Sequence, residues 1–302
     1  MAIYNNNANN LIVLKEKTFK LEKDIQKLFE ANLPVIMGLE KVKSEFTIKN
    51  KRIDTLAFDI QTKSFVIIEY KRDRNSSVID QGFAYLNLLL QYRADFILEY
   101  NECHKNQLKR DDIDWSQTKV IFVAGGFTDN QRESVNFKDI TIELWEVKQF
   151  ENDIVSIQQI KKSASAESIK AITAKNSALQ EITKEIKVYS EEDHLLRSTD
   201  EARELYENFK EAIIGLSPDI EIKPQKYYIA FKKANSNVVD IEIQKNSIKL
   251  GINMKQGQLD DPKKLMRDVS VLKGHSLNGD YELRIENDNN LEYIMSLVKQ
   301  TL

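Results

Sequence analysis

Asp54, Glu69 and Lys71 are the residues of this 302-residue chain whose types and spacing could do chemistry together. Segments 52–59 and 65–72 carry strand-forming residues on either side of a polar turn at 60–64. Side chains alternate along a strand, so Glu69 and Lys71 share a face. An antiparallel return with a loop of even length brings Asp54 onto that face, opposite or diagonal to them. Two carboxylates and an ammonium then converge at the open end of an otherwise apolar hairpin, which is the donor set of a divalent-metal site with a cation beside it. Mg²⁺ takes carboxylate oxygens and keeps waters for substrate phosphates. The bound metal acidifies a water and stabilises transition-state charge, and a neighbouring lysine orients that water or neutralises the phosphate. A surface ladder of ion pairs would use the same residues and contribute only about 0–1 kcal/mol per pair. The run Phe65, Val66, Ile67, Ile68 argues for the metal site, because it reads as a buried central strand that turns polar abruptly, and charges there need a reason.

Asp54 followed by Glu69-Tyr70-Lys71 resembles the D…(D/E)xK core of the PD-(D/E)xK nuclease superfamily. With Arg52-Ile53 before the aspartate and Gln81-Gly82-Phe83-Ala84-Tyr85 after the ExK, the chain is most similar to the NucS/RecB-like branch, whose trailing motif is QxxxY. Segment 21–30 is similar to that family's first helix, where a glutamate often joins the metal site, and this implies Glu30 as a third carboxylate. The resemblance covers residues 15–150, with two departures: Asp54 has no preceding proline, and Lys51 stands where glycine is frequent. It implies a restriction-endonuclease-like αβββαβ domain that hydrolyses DNA phosphodiester bonds with Mg²⁺ or Mn²⁺, in repair or in defence against foreign DNA. Asp54, Glu69 and Glu30 would hold the metal, Lys71 would position the attacking water or scissile phosphate, and Gln81 and Tyr85 would support the site. The alternative is a non-cleaving nucleic-acid-binding or regulatory module on the same fold, from which loss of a ligand or of the lysine would be expected.

The elements that position these residues follow from periodicity. Residues 15–33 predict a helix with Leu21, Ile25, Leu28, Phe29 and Asn32 on one face, Gln26 and Glu30 on a shared flank, and Pro34 following its end. A first strand is expected at 41–49, then the hairpin, then a helix at 78–92 capped by Ser77, with Gln81 and Tyr85 one turn apart. Segments 96–99, 119–124 and 140–147 supply further strands, with a short helix at 130–135. Gly125-Gly126 is a turn, and Trp115 and Trp145 are packing residues. The fold class is α/β, a mixed sheet flanked by helices.

Length predicts two domains, 1–150 and 193–302, joined by a helical connector at 151–192. The connector has a thin apolar stripe at Ile172, Leu179, Ile182 and Ile186 that would also suit a homodimer. A net charge of −3 and a pI near 5.8 argue against nonspecific coating of nucleic acid, so local charge must do the work. Arg52 enters the hairpin and Arg72 and Arg74 leave it, which makes them the expected contacts to DNA; Lys41, Lys43 and Lys49 read equally well as a solvated face. A single cysteine, Cys103, excludes an intramolecular disulfide, and Cys103-His104 has no second pair for zinc. No signal-peptide pattern and no bilayer-length apolar run is present, so a cytoplasmic protein without membrane partners is expected.

The second half predicts a small α/β domain: helices at 199–214, 262–269 and 290–302, and strands at 227–231, 238–243, 247–252 and 280–285. Residues 273–282 resemble an uncharacterised domain found as a C-terminal partner of restriction-like or NucS-like nuclease domains. His275 reads as a turn histidine, and Tyr227, Tyr228, Lys232 and Lys233 as alternation on a half-exposed strand.

Overall fold

The computed structural model describes residues 2–72, 77–105, 107–163, 165–169, 177–272 and 277–302, in two compact units, Met1–Val188 and Tyr189–Leu302. In chain order the first unit holds β1 (Tyr4–Asn7), β2 (Asn10–Val13), β3 (Glu16–Lys17), α1 (Glu22–Met37), β4 (Glu40–Ile48), β5 (Lys51–Asp59), β6 (Ser64–Lys71) and α2 (Val78–Gln91). There follow α3 (Arg93–His104), β7 (Lys119–Ala124), α4 (Asp129–Ser134), β8 (Ile142–Phe150), β9 (Val155–Ile160) and α5 (Ser177–Glu185). Apart from the β1–β2 hairpin, the strands form one seven-stranded sheet, ordered β3-β8-β7-β6-β5-β4 with β9 also paired to β8. β6, β7 and β8 run parallel, and the remaining pairs are antiparallel. The α1-β4-β5-β6-α2-β7 succession is the αβββαβ outline that the resemblance implies.

β6 is central because it is apolar on both faces, as strands covered on both sides must be. Val66, Ile68 and Tyr70 pack with Ala57 under Ile25, Phe29 and Leu33 of α1. Phe65 and Ile67 pack on the other side with Leu86 and Leu89 of α2 and Phe96 of α3. Burial of one such aromatic or aliphatic side chain is worth about 1.5–3 kcal/mol, so this two-sided clamp fixes the strand that carries Glu69 and Lys71.

Four expectations are corrected. α1 runs from Glu22 to Met37 with Pro34 inside it. Pro34 gives up only the one N–H bond to the carbonyl four residues earlier, its φ suits a helix, and Gly38, at φ 67°, closes the helix with its N–H on the Pro34 carbonyl. Residues 96–99 belong to α3, not to a strand: Phe96 and Tyr100, four apart, are both buried, which is a helical period. Segment 262–269 is no helix but a turn leading into β14 (Arg267–Asp268), because Asp261 takes the Met266 N–H with its carboxylate and the Lys264 N–H with its carbonyl. Segment 151–192 is not a free connector. β9 extends the sheet beyond β8, and Ile182 and Ile186 are buried in the first unit's core, which spends the stripe read as a homodimer surface. Ile172 lies outside the described residues.

The second unit contains α6 (Glu191–Leu195), α7 (Asp200–Leu216), β10 (Ile220–Pro224), β11 (Ile229–Lys233), β12 (Ser236–Ile243), β13 (Ile248–Ile252), β14, β15 (Tyr281–Ile285) and α8 (Leu291–Val298). Its strands form an antiparallel sheet ordered β10-β11-β12-β13-β15-β14. Tyr206, Phe209 and Ile213 of α7 and Ile294, Leu297 and Val298 of α8 pack with Phe231, Val239, Ile241 and Leu250 of the sheet. Among the described residues no helix is long and apolar enough to cross a membrane.

Candidate functional site

The β5–β6 hairpin pairs Thr55 with Ile68 and Asp59 with Ser64, so one step beyond the Thr55–Ile68 pair Asp54 stands across from Glu69. Two backbone donors lock this arrangement. The Asp54 N–H donates to Glu69 Oε1 at 3.2 Å, and the Tyr70 N–H donates to Asp54 Oδ2 at 3.1 Å. Each carboxylate is thus held by the strand that carries the other. Lys71, two residues beyond Glu69 on the same face, places its ammonium 3.6 Å from Glu69 Oε2.

From α2, Gln81 donates to Glu69 Oε2 at 3.2 Å and to the Tyr85 hydroxyl at 3.2 Å, and that hydroxyl donates to the Arg52 carbonyl at 3.2 Å. Ser77 caps α2 by accepting the Asp80 N–H, so the helix begins where Gln81 and Tyr85 reach the hairpin. The turn between Gln81 and Tyr85 therefore braces both Glu69 and the start of β5.

The electrostatics show a pair under strain. Glu69 is only 3% exposed. Burial, and then the Asp54 charge, push its carboxyl up to about 7, against the Asp54 N–H bond and the nearby Lys71. Burial also raises Asp54, opposed by the Tyr70 N–H and Lys71. Burial and the Glu69 charge push the Tyr85 phenol upward. A half-buried and a buried carboxylate beside one ammonium are undercompensated, and a divalent cation would relieve them. The donor chemistry therefore fits a hard metal ion, with Asp54 and Glu69 as the residues that would hold it.

Glu30 does not join that pair. Its Oε1 accepts from Gln26 at 2.9 Å and from the Thr55 hydroxyl at 2.6 Å, and its Oε2 accepts from the Ser44 hydroxyl at 2.6 Å. Thr55 lies next to Asp54 and therefore points to the opposite face of β5. Among the described residues no group of three or more His, Cys, Asp or Glu is arranged to hold a metal. Glu30 is instead linked to the pair through Gln26, whose side-chain amide also donates to the Asp54 carbonyl at 2.8 Å. Sequence reasoning gave Gln26 no role. Its signal was an amide on the same helix flank as Glu30, next to the apolar Ile25.

Of the expected DNA contacts, Arg52 is exposed and pairs with Glu45 at 3.1 Å, which also binds Lys23 at 2.6 Å. Arg72 follows Lys71, and its N–H donates to Glu22 at 2.8 Å. Arg74 and His275 lie outside the described residues. Trp115 stacks on Phe65 with ring centroids 5.6 Å apart, a packing role. In the second unit Tyr228 is buried and Tyr227 exposed, but both precede β11, and Ile229, Ala230 and Phe231 are all buried, so the strand does not alternate there as the sequence suggested. That unit also holds a buried acid that sequence did not flag: Asp240 accepts from Asn237 and from the backbone and side chain of Asn278, and burial pushes its carboxyl up to about 7.

Over its whole length the chain is 56% identical to an uncharacterized protein of Haemophilus influenzae, covering 99% of that protein. Residues 191–301 match DUF5655, a domain of unknown function, where the sequence suggested an uncharacterised accessory domain. Among solved structures, an EndoMS–dsDNA complex is 18% identical with a TM-score of 0.30 over 43% of this chain and 47% of that one. EndoMS in its apo form is 20% identical with a TM-score of 0.27, over 41% and 44% of the two chains. A repair endonuclease from Pyrococcus abyssi is 18% identical with a TM-score of 0.24, over 41% and 46%. The match spans less than half the length of each of these structures, and superpositions at such scores decide no activity.

Proposed function

We propose that this chain, which belongs to the same family as the uncharacterized Haemophilus influenzae protein, is a divalent-metal-dependent nuclease of the PD-(D/E)xK type that hydrolyses DNA phosphodiester bonds. The observation that carries this reading is the Asp54–Glu69 pair: a half-buried and a buried carboxylate that repel each other, cross-braced by each other's strands and accompanied by Lys71. Charge that is costly to bury is retained where it binds something. When bound, Mg²⁺ or Mn²⁺ would supply charge neutralisation at the scissile phosphate and a more acidic water.

The chain's own residues do the rest. Asp54 and Glu69 present oxygens whose directions are fixed by the Tyr70 and Asp54 N–H groups. Lys71, partly buried, orients the attacking water or holds the scissile phosphate. Gln81 and Tyr85 keep the Glu69 carboxylate turned toward Asp54, and Gln26 with Glu30 holds the β5 backbone from the opposite side. Arg52 and Arg72 flank the site as contacts to the DNA backbone, where a basic side chain adds affinity without sequence preference. The DUF5655 domain selects the substrate or assembles the enzyme, and the protein acts in the cytoplasm.

One observation favours the non-cleaving alternative: Glu30 spends both its oxygens on Gln26, Thr55 and Ser44. Calorimetric titration of the full-length protein with Mn²⁺ separates the two. The nuclease reading expects binding that is lost in Asp54→Asn and Glu69→Gln and kept in Glu30→Gln. Wild type that takes up no Mn²⁺, or a Glu69→Gln variant that binds as well as wild type, would overturn it.

A further inference from the structure

The ladder between β4 and β5 is interrupted at Asp54. Ser44 pairs with Thr55 and Phe46 with Ile53, but the register gives Asp54 no partner in β4. Glu45, the residue that would stand across from it, sits at φ 52°, a left-handed conformation that a residue with a Cβ adopts only at a cost. Pairing with β6 begins one residue later, at Thr55. The residue whose carboxylate meets Glu69 therefore lacks the regular cross-strand pairing that fixes its neighbours, and side chains must hold it instead.

Gln26 of α1 spends its amide on this break. One N–H reaches the Asp54 carbonyl at 2.8 Å and the other reaches Glu30 Oε1 at 2.9 Å, so the amide is fixed at both ends. Glu30 is fixed in turn. Its Oε1 also accepts the Thr55 hydroxyl and its Oε2 the Ser44 hydroxyl, both at 2.6 Å, and these two residues are the cross-strand pair beside the break. Gln26 is 4% exposed and follows Ile25 on a helix that otherwise packs with Phe29 and Leu33 on the sheet. An apolar side chain would serve that packing without the cost of burying an amide. Asp54 is thus tied at three points: its N–H to Glu69, its carboxylate to the Tyr70 N–H, and its carbonyl to Gln26. Without the third tie, repulsion between the two carboxylates can push the Asp54 backbone away from Glu69. We infer that Gln26 is a positioning residue of the proposed metal site: anchored on Glu30, it holds the Asp54 backbone across the break in the ladder, keeping the two carboxylates set for one metal ion. This rests on the nuclease reading. It also gives Glu30 a task other than ligation, because an anchor has its oxygens spent.

The test is calorimetric titration with Mn²⁺ and steady-state DNA cleavage at saturating Mn²⁺, on full-length wild type, Gln26→Met, Glu30→Gln and Gln131→Met, each with a circular dichroism melt. Gln26→Met keeps the side-chain length and removes both donors. It should weaken Mn²⁺ binding about tenfold or more and lower kcat similarly, with KM for DNA little changed. Glu30→Gln keeps an oxygen for the Gln26 amide and should bind Mn²⁺ as wild type does. Gln131 is a buried amide that caps α4, so Gln131→Met should lower the melting temperature and leave Mn²⁺ binding and kcat unchanged. Should Gln26→Met fail to fold, Gln26→Asn, whose amide is one methylene short of both partners, should shift binding and kcat in the same direction. A Gln26→Met variant that binds Mn²⁺ and cuts as wild type does would overturn the inference and leave the nuclease reading standing. Losses as large in Gln131→Met would also overturn it, by making them a general consequence of destabilisation. A wild type that takes up no Mn²⁺ would overturn the nuclease reading and the inference together.

Discussion

Replacing Glu69 by glutamine should stabilise the metal-free protein, and only above a particular pH. The Glu69 carboxyl rises from 4.5 to about 7 on folding, first through burial and then through the Asp54 charge. Between those two values the folded chain keeps a proton that the unfolded chain has released. Stability therefore falls as pH rises from about 4.5 to about 7 and is level above. At about 1.4 kcal/mol per pKa unit, the ionised group costs the folded state on the order of 3 kcal/mol at alkaline pH. Glutamine never ionises, so the cost vanishes. Against this, the substitution weakens two hydrogen bonds to the carboxylate, from the Asp54 N–H and from Gln81, both at 3.2 Å. Each is worth about 0.5–1.5 kcal/mol. The variant should thus be more stable than wild type by about 1–2 kcal/mol above pH 7 and equal or weaker below pH 4.5. Urea unfolding with chelator present reads this directly, because both tryptophans, Trp115 and Trp145, belong to the first unit and report it alone. Adding Mn²⁺ above neutral pH should raise the stability of wild type and not of the variant. A stability difference that does not change with pH would refute the claim that Asp54 and Glu69 repel each other in a buried site.

Asp54→Asn keeps an oxygen for the Tyr70 N–H and should change stability by less than about 1 kcal/mol while cutting DNA cleavage by ~100-fold or more, measured on labelled duplexes. Lys71→Ala should lower cleavage far more than DNA affinity; equal losses in a cleavage assay and a filter-binding assay would make Lys71 a plain phosphate contact. In the second unit Gly279 sits at φ 79°, and a Cβ there would lie 2.1 Å from the Ile252 carbonyl oxygen. Gly279→Ala should therefore destabilise that unit by more than about 2 kcal/mol in calorimetry while leaving metal binding by the first unit intact.

Local patterning carried much of this structure into view. β6 was legible because Phe65 to Ile68 form an unbroken apolar run, and the Asp54–Glu69 apposition follows from strand alternation and an even loop. α2 was legible from its cap at Ser77 and its 3.6-residue period. What escaped depends on partners distant in sequence. Phe96 and Tyr100 are helical only because both meet Phe65, and a four-residue apolar window cannot carry that information. β9 has no strong strand signal of its own; it is ordered by β8, to which the turn at 151–154 returns it. Glu30 looked like a ligand because helix spacing fixes its flank but not its partners, and the hydroxyls of Thr55 and Ser44 claim it. Gln26 tells the same lesson in reverse: its amide reaches two groups, Glu30 and the Asp54 carbonyl, that are far apart in the chain.

On the proposed function, the Asp54–Glu69–Lys71 face cuts DNA. This is tested most directly by incubating labelled single-stranded, duplex, flap and mismatched DNAs with wild type and with Glu69→Ala, in Mg²⁺ or Mn²⁺ and in chelator. Metal-dependent cleavage of at least one substrate by wild type, absent in the variant, is the predicted result. Cleavage that survives Glu69→Ala, or wild type that binds one of these DNAs and cuts none at high enzyme concentration, would contradict it.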